Sequence, residues 1–207
     1  MLQPFVAWQM QAQGKGELMT LTGYQAYRYW PQPATYTVSL SCLYVHELLM
    51  RLCRLGEAGQ GVFEAYERVL EGLLVPSAKT TPSDSTTPIA TVLRYFEKQL
   101  LAALGFGMPL TETVSGQRVA ETDDYVFDPL RGPQQVPSKT PSCPPKLCVG
   151  GGPVSGSSLL ALANETLATA QQLKDAKKLT RIALKAHLGE KPLESQRLFC
   201  NRERQYE

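Results

Sequence analysis

The stretch TPIATVLRYFEKQLLAALGFG (residues 87–107) predicts a long helix that is buried along one side. Thr87 has the residue type of an N-cap, and Pro88 suits the first helical position. Gly105 predicts the end of the helix. Between them, apolar residues recur at helical spacing: Ile89, Val92, Leu93, Phe96, Leu100 and Leu104. A helix of this kind needs other elements to cover its apolar side, so the stretch predicts a helical domain.

A second face of the same helix carries Arg94, Lys98 and Leu101 at i, i+4 and i+7. Cations beside an apolar groove suit a peptide that is acidic and ends in a hydrophobic residue. The alternative is an ordinary exposed pair of charges, which is the commoner meaning of such spacing.

Further helices and a β element complete the chain. Leu43–Cys53 and Phe63–Leu73 also repeat at helical spacing, whereas residues 1–38 contain two strand-like stretches around Gly14-Lys15-Gly16. A lone hairpin is marginal in water and needs a platform. The predicted fold class is α+β, with a β element over residues 1–38 and a mainly helical domain over residues 39–207. Polar or Pro/Gly/Ser-rich composition predicts mobile loops near 77–87 and 131–158.

Two helices are predicted to close the chain, from about Leu159 to Gln171 and from about Leu173 to Leu188, with Gly189 ending the second. The second helix has apolar residues on one side, and five cations on the other fall within an arc of roughly 100°. These cations are Lys174, Lys177, Lys178, Arg181 and Lys185. Such a stripe suits the phosphates of a nucleic acid, although a solvated helix face has the same composition.

Composition excludes several classes of function. A hydrophobic fraction of 43% and a charged fraction of 19% are typical of a globular protein. No apolar run is long enough for a membrane span, the first residues are not expected to act as a signal peptide, and the five irregularly spaced cysteines favour a reducing, cytoplasmic location. Cys143 and Cys148 form one isolated pair, so no metal is expected. No catalytic or nucleotide-binding motif is present, so we expect neither an enzyme nor a cofactor. A nuclease or other hydrolase that uses Asp123 and Asp124 is the remaining enzymatic alternative.

Four blocks, in order, resemble the bacterial RecO family of DNA repair proteins. They are Leu2–Phe5 with Gly14–Leu18 and Thr20–Leu21; Leu43–Leu52; Leu93–Glu97 with Leu100–Gly107; and Ala176–Lys185 with Leu188–Ser195. The first block resembles the end of that family's N-terminal OB-fold, and the others resemble its helical domain.

The resemblance implies a recombination mediator of the RecF pathway. Such a protein binds single- and double-stranded DNA, anneals complementary strands, and with RecR helps to load RecA onto DNA coated by single-strand-binding protein (SSB). It binds the acidic, Phe-ended SSB tail, for which Arg94 matches a family position and Lys98 and Leu101 complete a plausible surface. The DNA surface would add Lys15 and Arg28 of the OB-fold to the five cations of the closing helix. We expect a cytoplasmic monomer that reaches the nucleoid during repair.

Three departures from the family pattern qualify this expectation. By this resemblance the first residues correspond to the last strands of the OB-fold, so the alternative expectation is a scaffold that binds SSB and RecR but has lost annealing. Residues 108–116 lack the cysteines that begin a zinc site in many members, and Glu194-Ser195-Gln196 stands where the family favours basic residues.

Overall fold

The computed structural model describes residues 3–15, 18–54, 59–75, 86–136, 152–189 and 191–205. It begins with strands β1 (Val6–Gln13) and β2 (Thr20–Tyr29), which pair in an antiparallel hairpin. Trp30 closes the hairpin base, where its N–H donates to the carbonyl of Phe5 at 2.9 Å. Mainly helical structure follows, which confirms the predicted α+β class.

Three helices enclose the first core. They are α1 (Tyr36–Leu52), α2 (Gln60–Leu74) and α3 (Thr86–Ala103). Their inward faces meet through Leu48, Leu70 and Leu100, none of which is exposed to solvent. Gly105, with φ of +82°, follows α3 and ends it as predicted. The long apolar side of residues 87–107 therefore has the role that its spacing predicts.

A small sheet and a short helix form the second core. Strands β3 (Asp124–Asp128), β4 (Gly132–Gln135) and β5 (Val154–Ser155) pair in the order β4-β3-β5, with both neighbours antiparallel to β3. Helix α4 (Gly156–Ala163) follows directly. Tyr125 and Phe127 of β3 pack with Leu159 and Leu162 of α4.

Helix α5 (Ala170–Leu188) joins the two cores, and α6 (Glu194–Gln205) follows it. The first half of α5 contributes Ala176 and Leu179 to the second core, and the second half contributes Ala183 and Leu184 to the first. The two cores therefore share one helix, whose opposite side is left for other contacts.

Several predicted boundaries are wrong. Helix α1 begins at Tyr36, because the Thr35 hydroxyl accepts a hydrogen bond from Val38 N–H, so the predicted boundary between residues 38 and 39 falls inside a helix. Helix α3 begins at Thr86, so Thr87 lies within the helix and is not the N-cap that the sequence predicted. The described parts of the predicted loop over 131–158 contain β4, β5 and the first turn of α4, because both edges of β3 take a partner there, whereas residues 137–151 lie outside the described residues. Residues 76–85, most of the other predicted loop, lie outside the described residues.

Candidate functional site

The basic side of α5 is the most strongly charged helix face that the sequence predicted. The helix begins with a capping box, in which the Thr169 hydroxyl accepts from Gln172 N–H and the Gln172 side chain accepts from Thr169 N–H, both at 3.1 Å. Gly189, with φ of +71°, ends it as predicted. Four predicted DNA-binding cations are exposed on the side opposite the cores: Lys174, Lys177, Arg181 and Lys185.

Lys178, the fifth cation of the predicted stripe, is half-buried. Its Nζ donates to the carbonyls of Gly152 and Pro153, just before β5. Burial lowers the pKa of Lys178; the negative charge of Asp175 opposes this effect, and the positive charge of Lys174 adds to it. Lys178 therefore ties α5 to the small sheet, and the accessible stripe consists of the other four cations.

Arg94, predicted to meet an acidic peptide, lies inside the helical body. Its Nη2 is 2.7 Å from Oε1 of Glu97, and its Nη1 donates to Thr180 Oγ1 at 3.2 Å. The Tyr44 hydroxyl donates to the same Glu97 oxygen at 2.5 Å. Glu97 is fully buried and Arg94 is 9% exposed. Burial, and then the Glu97 charge, raise the pKa of Tyr44 well above its ordinary value, so this hydroxyl stays protonated as a donor.

This cluster joins three helices, α1, α3 and α5, through one carboxylate and one guanidinium. Two of its buried atoms, Arg94 Nε and Glu97 Oε2, have no hydrogen-bond partner among the described residues. Buried polar atoms normally have a partner, and removing one member of a buried ion pair is costly. The main role of Arg94 in this arrangement is therefore to position α3 against α5.

Lys98 lies at the edge of α3 and is also paired. Its Nζ donates to the carbonyl of Ala163 at 2.9 Å and is 2.8 Å from Glu165 Oε1, which also accepts from Gln99 Nε2 at 2.8 Å. Burial acts to raise the pKa of Glu165, but the hydrogen bonds from Gln99 and Lys98 outweigh it, and the net pKa is lowered. Glu165 is thus held as a carboxylate beside Lys98.

Leu101 has no exposed surface. It follows Lys98 by three residues on α3, but it points into the first core together with Leu100. The structure therefore does not bring Arg94, Lys98 and Leu101 together on an open surface: of the three, Lys98 is the half-buried one and the other two are interior.

A shallow groove of about 150 Å³ between α2 and α3 was not predicted from the sequence. Val69, Val92 and Phe96 supply apolar walls, and Arg68 supplies a guanidinium whose side chain is 64% exposed. Glu165, the partner of Lys98, also lines it. The sequence signal that could have indicated this contact is Gly72, because a glycine within a predicted helix permits close approach of a neighbouring element.

The two cations predicted on the β element are separated. Lys15 is exposed beyond the end of β1, whereas Arg28 pairs with Ala7 near the base of the hairpin. Arg28 is 3.0 Å from Glu71 and 3.6 Å from Glu67, and its guanidinium carbon lies 4.9 Å from the ring centroid of Trp30. Two α2 carboxylates therefore balance its charge.

The remaining candidates give no further site within the described ranges. No group of three or more His, Cys, Asp or Glu side chains there is placed to hold a metal ion. Cys143 and Cys148 lie outside those ranges. Asp123 accepts from Gln135 Nε2 at 2.7 Å, which ties it to β4. Among the helices described, none is long and apolar enough to cross a membrane.

Comparison with known proteins identifies the family of the chain. Residues 33–197 match the family described as "Recombination protein O C terminal", which covers all the helices up to the start of α6. The DNA repair protein RecO of Thiobacillus denitrificans is 32% identical over 202 residues, which cover 96% of this chain and 73% of the relative. RecO of Nitrosococcus oceani is 33% identical over 201 residues (96% and 74%), and RecO of Yersinia enterocolitica is 35% identical over 199 residues (96% and 74%). The chain belongs to the RecO family, as the four sequence blocks predicted.

Proposed function

We propose that this chain acts in DNA repair as a recombination mediator. In this role it binds single- and double-stranded DNA, anneals complementary strands and, with RecR, helps to load RecA onto SSB-coated single strands in the cytoplasm. Membership of the RecO family supports the repair role. The observation that carries the DNA contact is the exposed basic side of α5.

The length and rigidity of this basic surface suit a phosphate backbone. Lys174 and Lys185 are eleven residues apart, about 16 Å along a helix. Lys177 and Arg181 lie between them, and α5 is fixed because its other side belongs to both cores. Each cation that neutralises a phosphate releases counterions, so the binding should weaken steeply with salt.

The test of the DNA contact compares two double variants by fluorescence anisotropy across a salt series. Lys177→Gln with Arg181→Gln removes two charges from α5. Arg118→Gln with Arg131→Gln removes two exposed charges elsewhere and is the matched control. We expect the α5 variant to bind DNA more weakly and its salt slope to fall by about 0.7–0.9 for each phosphate that is no longer neutralised, with the control close to wild type. Equal salt slopes for the two double variants would show that the basic side of α5 is a solvated helix face that does not contact DNA.

For the SSB tail, we propose that the three predicted residues have different roles. Lys98 meets the tail's carboxylates at the edge of α3, where the neighbouring α2–α3 groove offers an apolar seat and the Arg68 guanidinium. Arg94 positions α3, and Leu101 supports it from the core. An acidic peptide would compete with Glu165 for Lys98, which makes tail binding sensitive to salt.

We infer that this function needs no bond-making chemistry, because annealing is driven by base pairing between the two strands. The alternative, a scaffold that binds SSB and RecR without annealing, is distinguished by an assay with complementary oligonucleotides coated by SSB. Accelerated annealing supports the mediator, and tail binding without acceleration supports the scaffold.

A further inference from the structure

A pair of stacked rings lies where helices α3 and α5 end. Phe106 follows α3, and His187 belongs to the last turn of α5. The two ring centroids are 4.0 Å apart, and the ring planes are inclined by 22°. Because the rings are nearly parallel, a third planar ring can stack on the outer face of the pair.

The backbone holds Phe106 in one position at the surface. Gly105, with φ of +82°, lies in the left-handed region and turns the chain away from α3. The N–H groups of Gly105 and Phe106 donate to the carbonyls of Ala102 and Leu101, at 3.1 and 2.8 Å respectively. These are the two hydrogen bonds of a Schellman motif. A ring that is already held in place loses little conformational freedom when a ligand binds to it.

The ring of Phe106 is open to solvent. Phe106 is 48% exposed, whereas His187, which stacks against it, is half-buried. A Cβ on Gly105 or on Gly189 would meet no heavy atom within 4 Å beyond its chain neighbours, so the space beside both helix ends is open among the described residues. The pair therefore presents Phe106 to a ligand, with His187 as its support.

The charge around the stacked pair is positive. The segments that supply its two rings, residues 98–111 and 176–189, contain no acidic residue. Lys185 is exposed two residues before the stacked histidine, and Lys191 is exposed just beyond the end of α5. Glu190 lies outside the described residues. An aromatic ring between cations suits a ligand that is both planar and anionic.

A nucleotide with an unpaired base has this chemistry. Its phosphate is anionic, and every base has a face that can stack on an aromatic side chain. The bases of a duplex are already paired and stacked on one another, so they must be extruded before a protein ring can reach them. The stacked pair therefore suits single-stranded DNA and not the duplex.

The path from the basic side of α5 to the stacked pair also favours a single strand. Lys185 and His187 are two residues apart, so their side chains leave the helix about 200° apart. A strand that contacts both must bend sharply around the end of α5. A duplex is too stiff to do so without a large cost, whereas a single strand is flexible.

We propose that Phe106, supported by His187, stacks with a base of single-stranded DNA, an inference that rests on the DNA contact proposed for α5. The basic side of α5 binds phosphates of either form of DNA. Phe106 adds a contact that only the single-stranded form can make, so it sets the preference of the chain for unpaired strands.

Fluorescence anisotropy with a labelled single strand and with a duplex of the same length tests the proposal. Phe106→Leu removes the ring but keeps an apolar side chain, whereas Phe106→Trp keeps an aromatic ring. Phe63→Leu is the matched control, because Phe63 on α2 is 45% exposed. We expect Phe106→Leu to weaken single-strand binding by at least about fivefold. Phe106→Trp and Phe63→Leu should stay close to wild type, and duplex binding and salt slopes should be unchanged in all three because no charge is removed.

Tryptophan emission gives a readout that a merely structural role would not change. A base that stacks on the indole ring of Phe106→Trp should quench its emission. We expect quenching beyond that of wild type when the single strand is added, and none beyond wild type when the duplex is added.

Several outcomes would overturn the proposal. Wild-type affinity of Phe106→Leu for the single strand would show that the ring does not stack with a base and would leave the α5 contact standing. An equal loss of single-strand and duplex binding would make the stacked pair a support for the end of α5. Weaker binding of the SSB tail peptide, with unchanged DNA binding, would assign the ring to that peptide. A wild-type chain that binds no single strand would overturn this proposal together with the DNA contact of α5.

Discussion

At the scale of single residues, Arg94 shows how a motif can be visible in a sequence while its partners are not. The spacing of Arg94 and Lys98 was evident, and i+3 spacing also placed Glu97 beside Arg94. Thr180 and Tyr44, which complete the cluster, are 86 residues from Arg94 and 53 from Glu97 respectively. Only the packing of α1, α3 and α5 brings them together, so the change from a surface residue to a buried one could not be predicted.

The buried pair gives a prediction for stability. Arg94→Met leaves the Glu97 carboxylate buried without its cation and should cost about 3–5 kcal/mol of unfolding free energy, measured by urea titration. Adding Glu97→Gln removes the buried charge and keeps an oxygen that accepts from the Tyr44 hydroxyl, so it should restore much of this stability. Additive destabilisation in the double variant would contradict this account. If Arg94 acts only by position, the refolded double variant should also bind the SSB tail peptide.

At the scale of elements, the sequence predicted which helices exist better than it predicted where they begin and end. The prediction of α5 was accurate at its end, where Gly189 follows Leu188, and three residues late at its start, because the Thr169 cap begins the helix at Ala170 instead of Leu173. The helix predicted from Leu159 to Gln171 instead ends at Ala163, and Glu165 has a φ of +58°. Distant groups favour that break: Lys98 Nζ donates to the Ala163 carbonyl, and Tyr95 accepts from Leu167 N–H. Both partners come from α3, about 70 residues earlier, so local spacing carried no sign of them.

The contact between α2 and α3 gives a second prediction. A Cβ on Gly72 would lie 2.9 Å from both terminal methyl carbons of Val92. Alanine favours a helix over glycine by about 0.8–1 kcal/mol, but overpacking costs about 1–3 kcal/mol, so Gly72→Ala should destabilise the protein by up to about 2 kcal/mol. In a Val92→Ala background the clash is gone, and the same change should become neutral or stabilising. Chemical unfolding of wild type, the two single variants and the double variant measures both effects. If Gly72→Ala destabilises the protein equally with and without Val92→Ala, the clash is not the cause.

At the scale of the whole molecule, the C-terminal segment is fastened back onto the first helix. Glu47 of α1 accepts from the backbone N–H groups of Glu194 and Ser195, each at 2.9 Å, and from the Ser195 hydroxyl at 2.6 Å. Arg51, one turn later, pairs with Glu47 and donates to the carbonyls of Lys191 and Pro192. Glu47 thereby satisfies the free N–H groups at the start of α6, which its own local sequence does not cap. Two of the sequence blocks that resembled the family, Leu43–Leu52 and Leu188–Ser195, are the two sides of this contact.

This closure should make the stability of the chain depend on pH. Burial acts to raise the pKa of Glu47, but hydrogen bonds from Ser195 and Glu194 and the charge of Arg51 outweigh it, so the folded pKa lies below the ordinary value of 4.5. A lowered folded pKa contributes stability that is complete above the unfolded pKa and disappears as pH falls through the folded pKa. We expect thermal unfolding of wild type to lose stability more steeply below about pH 4.5 than unfolding of Glu47→Gln does. Glu64→Gln, which changes an exposed carboxylate on α2, is the matched control and should keep the wild-type slope. Parallel curves for wild type and Glu47→Gln would show that this carboxylate does not hold the start of α6 against α1.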